Sequence, residues 1–221
     1  MLILGIDTST SAIAVGLSDG SDLVVSRSRL DARGHTEHLA PLVETVLSET
    51  GTAMGDLTGV AVGTGPGPFT GLRVGMVTAV TMGHALGIPV HGLCSLDVLA
   101  HEAVATGRVE GPRLLVATDA RRREVYWTTY AVADGRAERE VGPAVDRPAE
   151  VPDELRALPT AGRGPLLYPD LFGEATEPLD VDAGLLALLA GRGVVAGLAM
   201  PVEPLYLRRP DALTTAERAR P

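Results

Sequence analysis

Between Gly63 and Gly75 the chain reads Gly-Thr-Gly-Pro-Gly-Pro-Phe-Thr-Gly-Leu-Arg-Val-Gly, and this segment constrains the fold more than any other. It joins a strand-like run, Leu57 to Val62, to an apolar helical stretch, Leu72 to Leu86, so it must turn from a strand into a helix start. Such a turn can cradle phosphate with backbone N–H groups and the helix dipole. The composition argues for a different use. The Gly-Lys-Ser/Thr ending of a Walker loop is missing, and the dinucleotide fingerprint Gly-x-Gly-x-x-Gly does not fit the spacing. Pro66 and Pro68 remove two N–H donors and fix φ, so a rigid turn is expected rather than an anion nest.

Around this loop the chain reads as two related halves. Leu2 to Ile6 is a short strand ending at Asp7; Ala12 to Leu17 and Leu23 to Ser28 complete a three-stranded meander. His35 to Thr50 carries Leu39, Leu42, Val43, Val46 and Leu47 at helical spacing, with Gly51 placed to close the helix. After the Gly-Pro loop and the second helix come a strand, Pro89 to Leu93, and a helix, Ser95 to Ala105. Leu2-Ile3-Leu4-Gly5-Ile6-Asp7 is then echoed by Leu114-Leu115-Val116-Ala117-Thr118-Asp119, which suggests a second lobe opening as the first did. The boundary is placed at residue 108, giving an N-terminal lobe of residues 1–108 and a smaller C-terminal lobe of residues 109–221. In the second lobe, strands are expected at 113–118, 124–132 and 158–161 and a helix at 181–189. Residues 133–153 read as irregular surface, and the tail from Asp211 as poorly ordered.

With 221 residues and 45% hydrophobic content, the chain can bury one core or two small ones. A net charge of −9 offers no overall field for nucleic acid, which disfavours direct RNA binding by this chain alone. One cysteine, Cys94, precludes an internal disulfide, and no Cys/His pattern suggests zinc. No apolar run is long enough to span a bilayer, and the N-terminus has no basic signal-like region, so a cytoplasmic location is expected.

Two meander-plus-helix lobes, each opening with a strand that ends in Asp, resemble the actin-like ATPase and sugar kinase superfamily, an α/β fold, here with a degenerate second lobe. Leu4-Gly5-Ile6-Asp7-Thr8-Ser9-Thr10, Gly34-His35-Thr36-Glu37-His38-Leu39, Gly65-Pro66-Gly67-Pro68-Phe69-Thr70-Gly71-Leu72-Arg73 and Pro204-Leu205-Tyr206-Leu207-Arg208 together resemble the TsaB (YeaZ) family. Pro68 departs from that family's usual serine. The resemblance implies a subunit without transferase activity of its own, working with a TsaD-type transferase and a TsaE-type ATPase in threonylcarbamoylation of the adenosine next to the anticodon of certain tRNAs. It also implies contact with tRNA only through the complex, no membrane association, and homodimers when the partner is absent. The alternative is a stand-alone ATP-dependent kinase or carbamoyl transferase of the same superfamily.

These readings can be set against individual residues. The superfamily's nucleotide grip leaves Asp7, Thr8 and Ser9 as a vestigial ATP or ADP site, with a carboxylate for hydrated Mg²⁺ and hydroxyls for phosphate oxygens. In the matching turn of the second lobe, Asp119-Ala120-Arg121-Arg122-Arg123 has no glycine to let amides approach phosphate. Its arginines could bind phosphate by charge, serve a partner, or simply be solvated. Ser95 and Leu99 stand where a TsaD-type subunit has its metal-binding His-x-x-x-His pair, so no metal is expected. His35 and His38 form His-x-x-His without a third ligand; a helix cap by His35 or Thr36 is the simpler reading. No catalytic residue is assigned. The second helix has only Arg73 and His84 as strongly polar side chains, and Gly71, Gly75, Ala79 and Gly83 form a smooth stripe. A partner interface is therefore expected over Leu39, Leu42, Val43, Val46, Leu72, Gly75, Met76, Val77, Ala79 and Val80.

Overall fold

Alternating apolar residues and a Ser-Asp-Gly turn produce the opening meander, β1 (Ile3–Asp7), β2 (Ala12–Ser18) and β3 (Leu23–Leu30), in a computed structural model that describes residues 1–31 and 34–208. There follow α1 (His35–Thr50), β4 (Gly59–Gly63), α2 (Phe69–Leu86), β5 (Val90–Leu93) and α3 (Ser95–Ala105). The second half contains β6 (Arg113–Asp119), β7 (Val125–Ala133), β8 (Arg136–Asp146), α4 (Asp153–Arg156), β9 (Thr160–Ala161), α5 (Gly164–Leu167), β10 (Ala175–Thr176) and α6 (Ala183–Val195).

Sheet one runs β3-β2-β1-β4-β5, antiparallel across the meander and parallel from β1 to β5. Sheet two runs β8-β7-β6-β9-β10 with the same alternation of directions. The echo between residues 2–7 and 114–119 is thus a duplication of topology, and the fold is a two-lobed α/β architecture. The second copy is worn down: β9 and β10 have two residues each, and α4 and α5 four.

Every residue of β1 and β4 is buried, so sheet one needs cover on both faces. On one face α1 and α2 bring Leu39, Val43, Val46, Leu72, Met76 and Ala79 against Leu4, Ile6, Val60 and Val62. On the other lies α6, and close approach explains the glycines beneath it. A Cβ on Gly5 would stand 1.9 Å from the Ala183 carbonyl oxygen, and one on Gly16 2.2 Å from the Gly184 nitrogen. Each sheet is drawn from one side of residue 108, yet the helix that closes sheet one comes from the far side. Leu96, Leu99, Leu114, Val116, Tyr130 and Leu186 join the two lobes in one central core.

Two elements differ from expectation. Residues 133–153, read as irregular, contain the 11-residue strand β8. Among the described residues it pairs with β7 alone, is largely exposed at its start, and carries Gly142 and Pro143 where the ladder register shifts, so neither apolar alternation nor clean composition marks it. The helix expected at 181–189 runs instead to Val195, through Gly191 and Gly193, both buried against neighbouring backbone or side chains. Residues 200–208 cross the β5 edge of sheet one: Gly92 N donates to Met200 O at 3.0 Å and Leu205 N to Thr64 O at 2.9 Å. The tail from Asp211 lies outside the described residues.

Candidate functional site

The turn after β1 is the natural place to look for a nucleotide grip, and its polar atoms are already engaged. Asp7 is fully buried; its carboxylate accepts from Ser9 N (2.9 Å), Ser9 Oγ (2.8 Å) and Ser95 Oγ (2.6 Å). Burial pushes its pKa above the usual aspartate value, against the opposing pull of the Ser95 and Ser9 hydrogen bonds. Thr8 Oγ1 donates to Gly71 O at 2.7 Å and accepts from Gly75 N at 2.9 Å, which pins the start of α2 to the turn. The Gly-Pro loop closes over the rest. Gly67 backs onto Ser9, where a Cβ would lie 2.4 Å from the Ser9 carbonyl oxygen, and Tyr126 of β7 donates its hydroxyl to Gly67 O at 3.2 Å. On the inner side, a Cβ on Gly63 would lie 1.8 Å from Asp7 Oδ2. Asp7, Thr8 and Ser9 as arranged here do not fit a magnesium nucleotide: the carboxylate that would face a hydrated ion faces Ser95 instead.

Ser95 occupies the first of the two positions where imidazoles were sought, and its hydroxyl serves Asp7; Leu99, at the second, is fully buried in the central core. The two histidines of His-x-x-His part company. His35 is buried with its Nε2 unpaired, and burial lowers its pKa, while His38 Nε2 meets Asp31 Oδ2 at 3.2 Å. The expected cap by His35 or Thr36 is corrected: Gly34 is the cap residue of α1, with no side-chain bond. Among the described residues no group of three potential ligands could hold a metal. Burial pushes the Cys94 thiol up to about 12, which leaves it unactivated as a nucleophile.

The matching turn after β6 is open to solvent. Asp119 Oδ1 accepts from Arg121 N at 2.7 Å, and its other oxygen pairs with the Arg121 guanidinium at 3.0 Å. Arg121, Arg122 and Arg123 all take left-handed backbone conformations, with φ of 62°, 55° and 63°. Arg208 reaches this turn, donating to Arg121 O at 3.2 Å and pairing with Glu124. Sequence reasoning left Tyr206-Leu207-Arg208 without a role, although its isolation beyond α6 was visible. The structure makes it a strap: Tyr206 accepts from Arg73 Nε of α2 at 2.9 Å, Leu207 packs on the central core, and Arg208 braces the arginine turn.

The residues expected to form a partner interface divide by burial. Leu39, Val43, Val46, Leu72, Gly75, Met76 and Ala79 face sheet one, and Leu42 is half-buried. The outward face of α1 carries Thr36, Glu37, Glu44, Thr45, Ser48 and Glu49, with Ala40 and Pro41 between them, and is mostly polar. The smooth stripe also turns inward: a Cβ on Gly71 would meet Thr8 O at 2.7 Å, and one on Gly83 would meet Val90 Cγ2 at 2.3 Å. Small residues were needed for contact with the protein's own sheet. Among the residues α2 leaves open are Val77, 63% exposed, and Val80, 48% exposed, on a face that also carries Phe69 and Arg73. There Arg73 lies over the Phe69 ring at 3.5 Å, and Tyr206 stands 5.2 Å from the same ring. Val77, Val80, Val202, Pro204 and Tyr206 line a largely apolar groove of about 430 Å³.

Residues 29–160 match the family described as TsaD, tRNA N6-adenosine threonylcarbamoyltransferase. An uncharacterized protein of Mycobacterium tuberculosis is 45% identical over 95% of this chain and 93% of its own length. The tRNA threonylcarbamoyladenosine biosynthesis protein TsaB of Escherichia coli is 38% identical over 79% of this chain and 77% of its own length. The solved structure of YeaZ from Pseudomonas aeruginosa superposes with a TM-score of 0.75 at 30% identity, covering 93% of this chain and 99% of that one. Shared sequence along most of both chains and a shared two-sheet fold place this chain in the TsaB (YeaZ) family.

Proposed function

We propose that this chain is the non-catalytic subunit of a tRNA threonylcarbamoyladenosine-forming complex and pairs with a TsaD-type transferase through the outward face of α2. The observation that carries the reading is an exposed apolar pair, Val77 and Val80, beside an apolar groove, on a helix whose other face is already committed to its own sheet. It is supported by the turn chemistry, since the Asp7 carboxylate is taken up by Ser95 and Ser9, and by the likeness to the Escherichia coli tRNA threonylcarbamoyladenosine biosynthesis protein. A TsaE-type ATPase would join the pair, tRNA would be met only within the assembly, and the same face of α2 would close a homodimer when the transferase is absent. ATP or ADP, if used, would sit at a surface completed by the partner.

Calorimetric titration of the purified chain with the TsaD-type subunit of the same organism, with light scattering for stoichiometry, tests the proposal. One-to-one binding that is lost in Val77→Glu, with the variant still folded, is the expected result. No binding between two folded proteins overturns it. Ala79→Glu is the wrong probe for this purpose, because a carboxylate at that fully buried position would unfold the chain.

A further inference from the structure

Glu102, in the last turn of α3, shares a cavity of about 210 Å³ with Ser26 and Ser28 of β3 and with Asp180, Val181 and Asp182, the segment that leads into α6. Its Oε2 is enclosed and has no hydrogen-bond partner. An ionised carboxylate left so loses hydration without replacement, and the C-terminal end of α3 adds negative potential. Among the described residues, the cations nearby are engaged elsewhere. Arg163 Nε donates to Asp180 at 2.9 Å, and Arg108 pairs with Glu177 at 3.2 Å. On the elements packed against α3, Arg139 of β8 pairs with Asp97 and Arg113 of β6 with Glu140. Burial, with Arg192 of α6, holds the adjacent His101 below its ordinary value, so that ring brings no charge at pH 7. Burial first, then the charges of Asp182 and Glu177, push the Glu102 carboxyl up to about 7.

The cavity lies where the chain returns from the second lobe to cover the first. Asp182 caps α6 by accepting from Gly184 N at 2.8 Å and Leu185 N at 3.0 Å, and Gly184 N also lies 3.4 Å from Ser26 Oγ. The first turn of α6 is thereby held to β3, the edge strand of sheet one. We propose that Glu102 is a proton-operated latch on this junction. Neutral, it lets residues 177–183 lie against α3 and β3; ionised, it repels Asp180 and Asp182 and loosens the first turn of α6. Asp7, by contrast, is sealed by donors from Ser9 and Ser95, whereas Glu102 Oε2 has none. The folded value lies above the unfolded 4.5, so the stability linked to this proton is full below 4.5 and is lost as pH rises through about 7. The latch therefore works across neutral pH and does not depend on the subunit role proposed above.

The test uses the full chain alone. Carbon-13 NMR of the glutamate carboxyl carbons, with Glu102→Gln to assign the resonance, gives the titration midpoint of Glu102. Hydrogen exchange, corrected for its intrinsic pH dependence, gives the protection of the Gly184 and Leu185 amides. A midpoint of about 7 is expected, with protection of both amides falling about tenfold or more between pH 6 and pH 8 in the parent and staying constant in Glu102→Gln. Asp182→Asn, which keeps a capping side chain, should lower the midpoint by removing a neighbouring charge. A midpoint in the ordinary carboxylate range, protection that does not change with pH in the parent, an equal fall in Glu102→Gln, or an unmoved midpoint in Asp182→Asn each overturns the proposal.

Discussion

The turns after β1 and after β6 begin alike and end in opposite environments. Each opens on an aspartate whose carboxylate accepts the backbone N–H two residues on, Ser9 in one and Arg121 in the other. In the first, Ser95 and the Gly-Pro loop cover the aspartate completely; in the second, three arginines run through left-handed backbone in solvent and are held by a strap from the far end of the chain. The same local turn therefore becomes a piece of core in one lobe and a charged surface in the other. What separates them is what packs on top.

This contrast can be broken most severely at Ser95. Ser95→Ala removes a short hydrogen bond from a buried carboxylate and should cost about 3 kcal/mol, read as a lower urea midpoint with an unchanged slope. Arg208→Ala removes a partly exposed ion pair and a carbonyl contact from the second turn, and about 1 kcal/mol is expected by the same assay. If the two variants cost the same, the contrast in burial has no energetic meaning. Arg123→Gly should act in the other direction, raising stability by up to about 1 kcal/mol, because glycine takes the left-handed conformation without a Cβ penalty. The smallest effect concerns pH. Burial holds the folded Asp7 carboxyl above its model value of 3.8, so the folded chain keeps this proton at pH values where the unfolded chain has released it. Stability from this group is present at low pH and is lost as pH rises through the folded value. Relative to Asp7→Asn, the parent should gain thermal stability as pH is lowered from 7 towards 4, and a constant difference would contradict the sealed carboxylate.

Much of this was legible in the residues. The meander, α1 with its glycine stop, and α3 were readable because their patterns are local: alternation, helical spacing and capping chemistry need no distant partner. The duplication was readable because two short strands end in the same residue and start the same pairing. The strand β8 was not, because an exposed edge strand lacks the buried alternation by which strands announce themselves. The exposure of α2 was half legible. The composition of α2 marks it as apolar on more than one side, but does not say that Leu72, Gly75, Met76 and Ala79 face the sheet while Val77 and Val80 face out.

By itself, the sequence determined the class of fold, the family and the loss of the histidine pair, since each of these depends on residue type at a position. Only the tertiary structure decided that Ser95 seals Asp7, that His35 is left with an unpartnered nitrogen beside Arg121, and that residues 206–208 strap one lobe to the other. Those outcomes bring together residues as many as 88 and 133 positions apart, and no local pattern encodes which distant group will arrive at a given side chain.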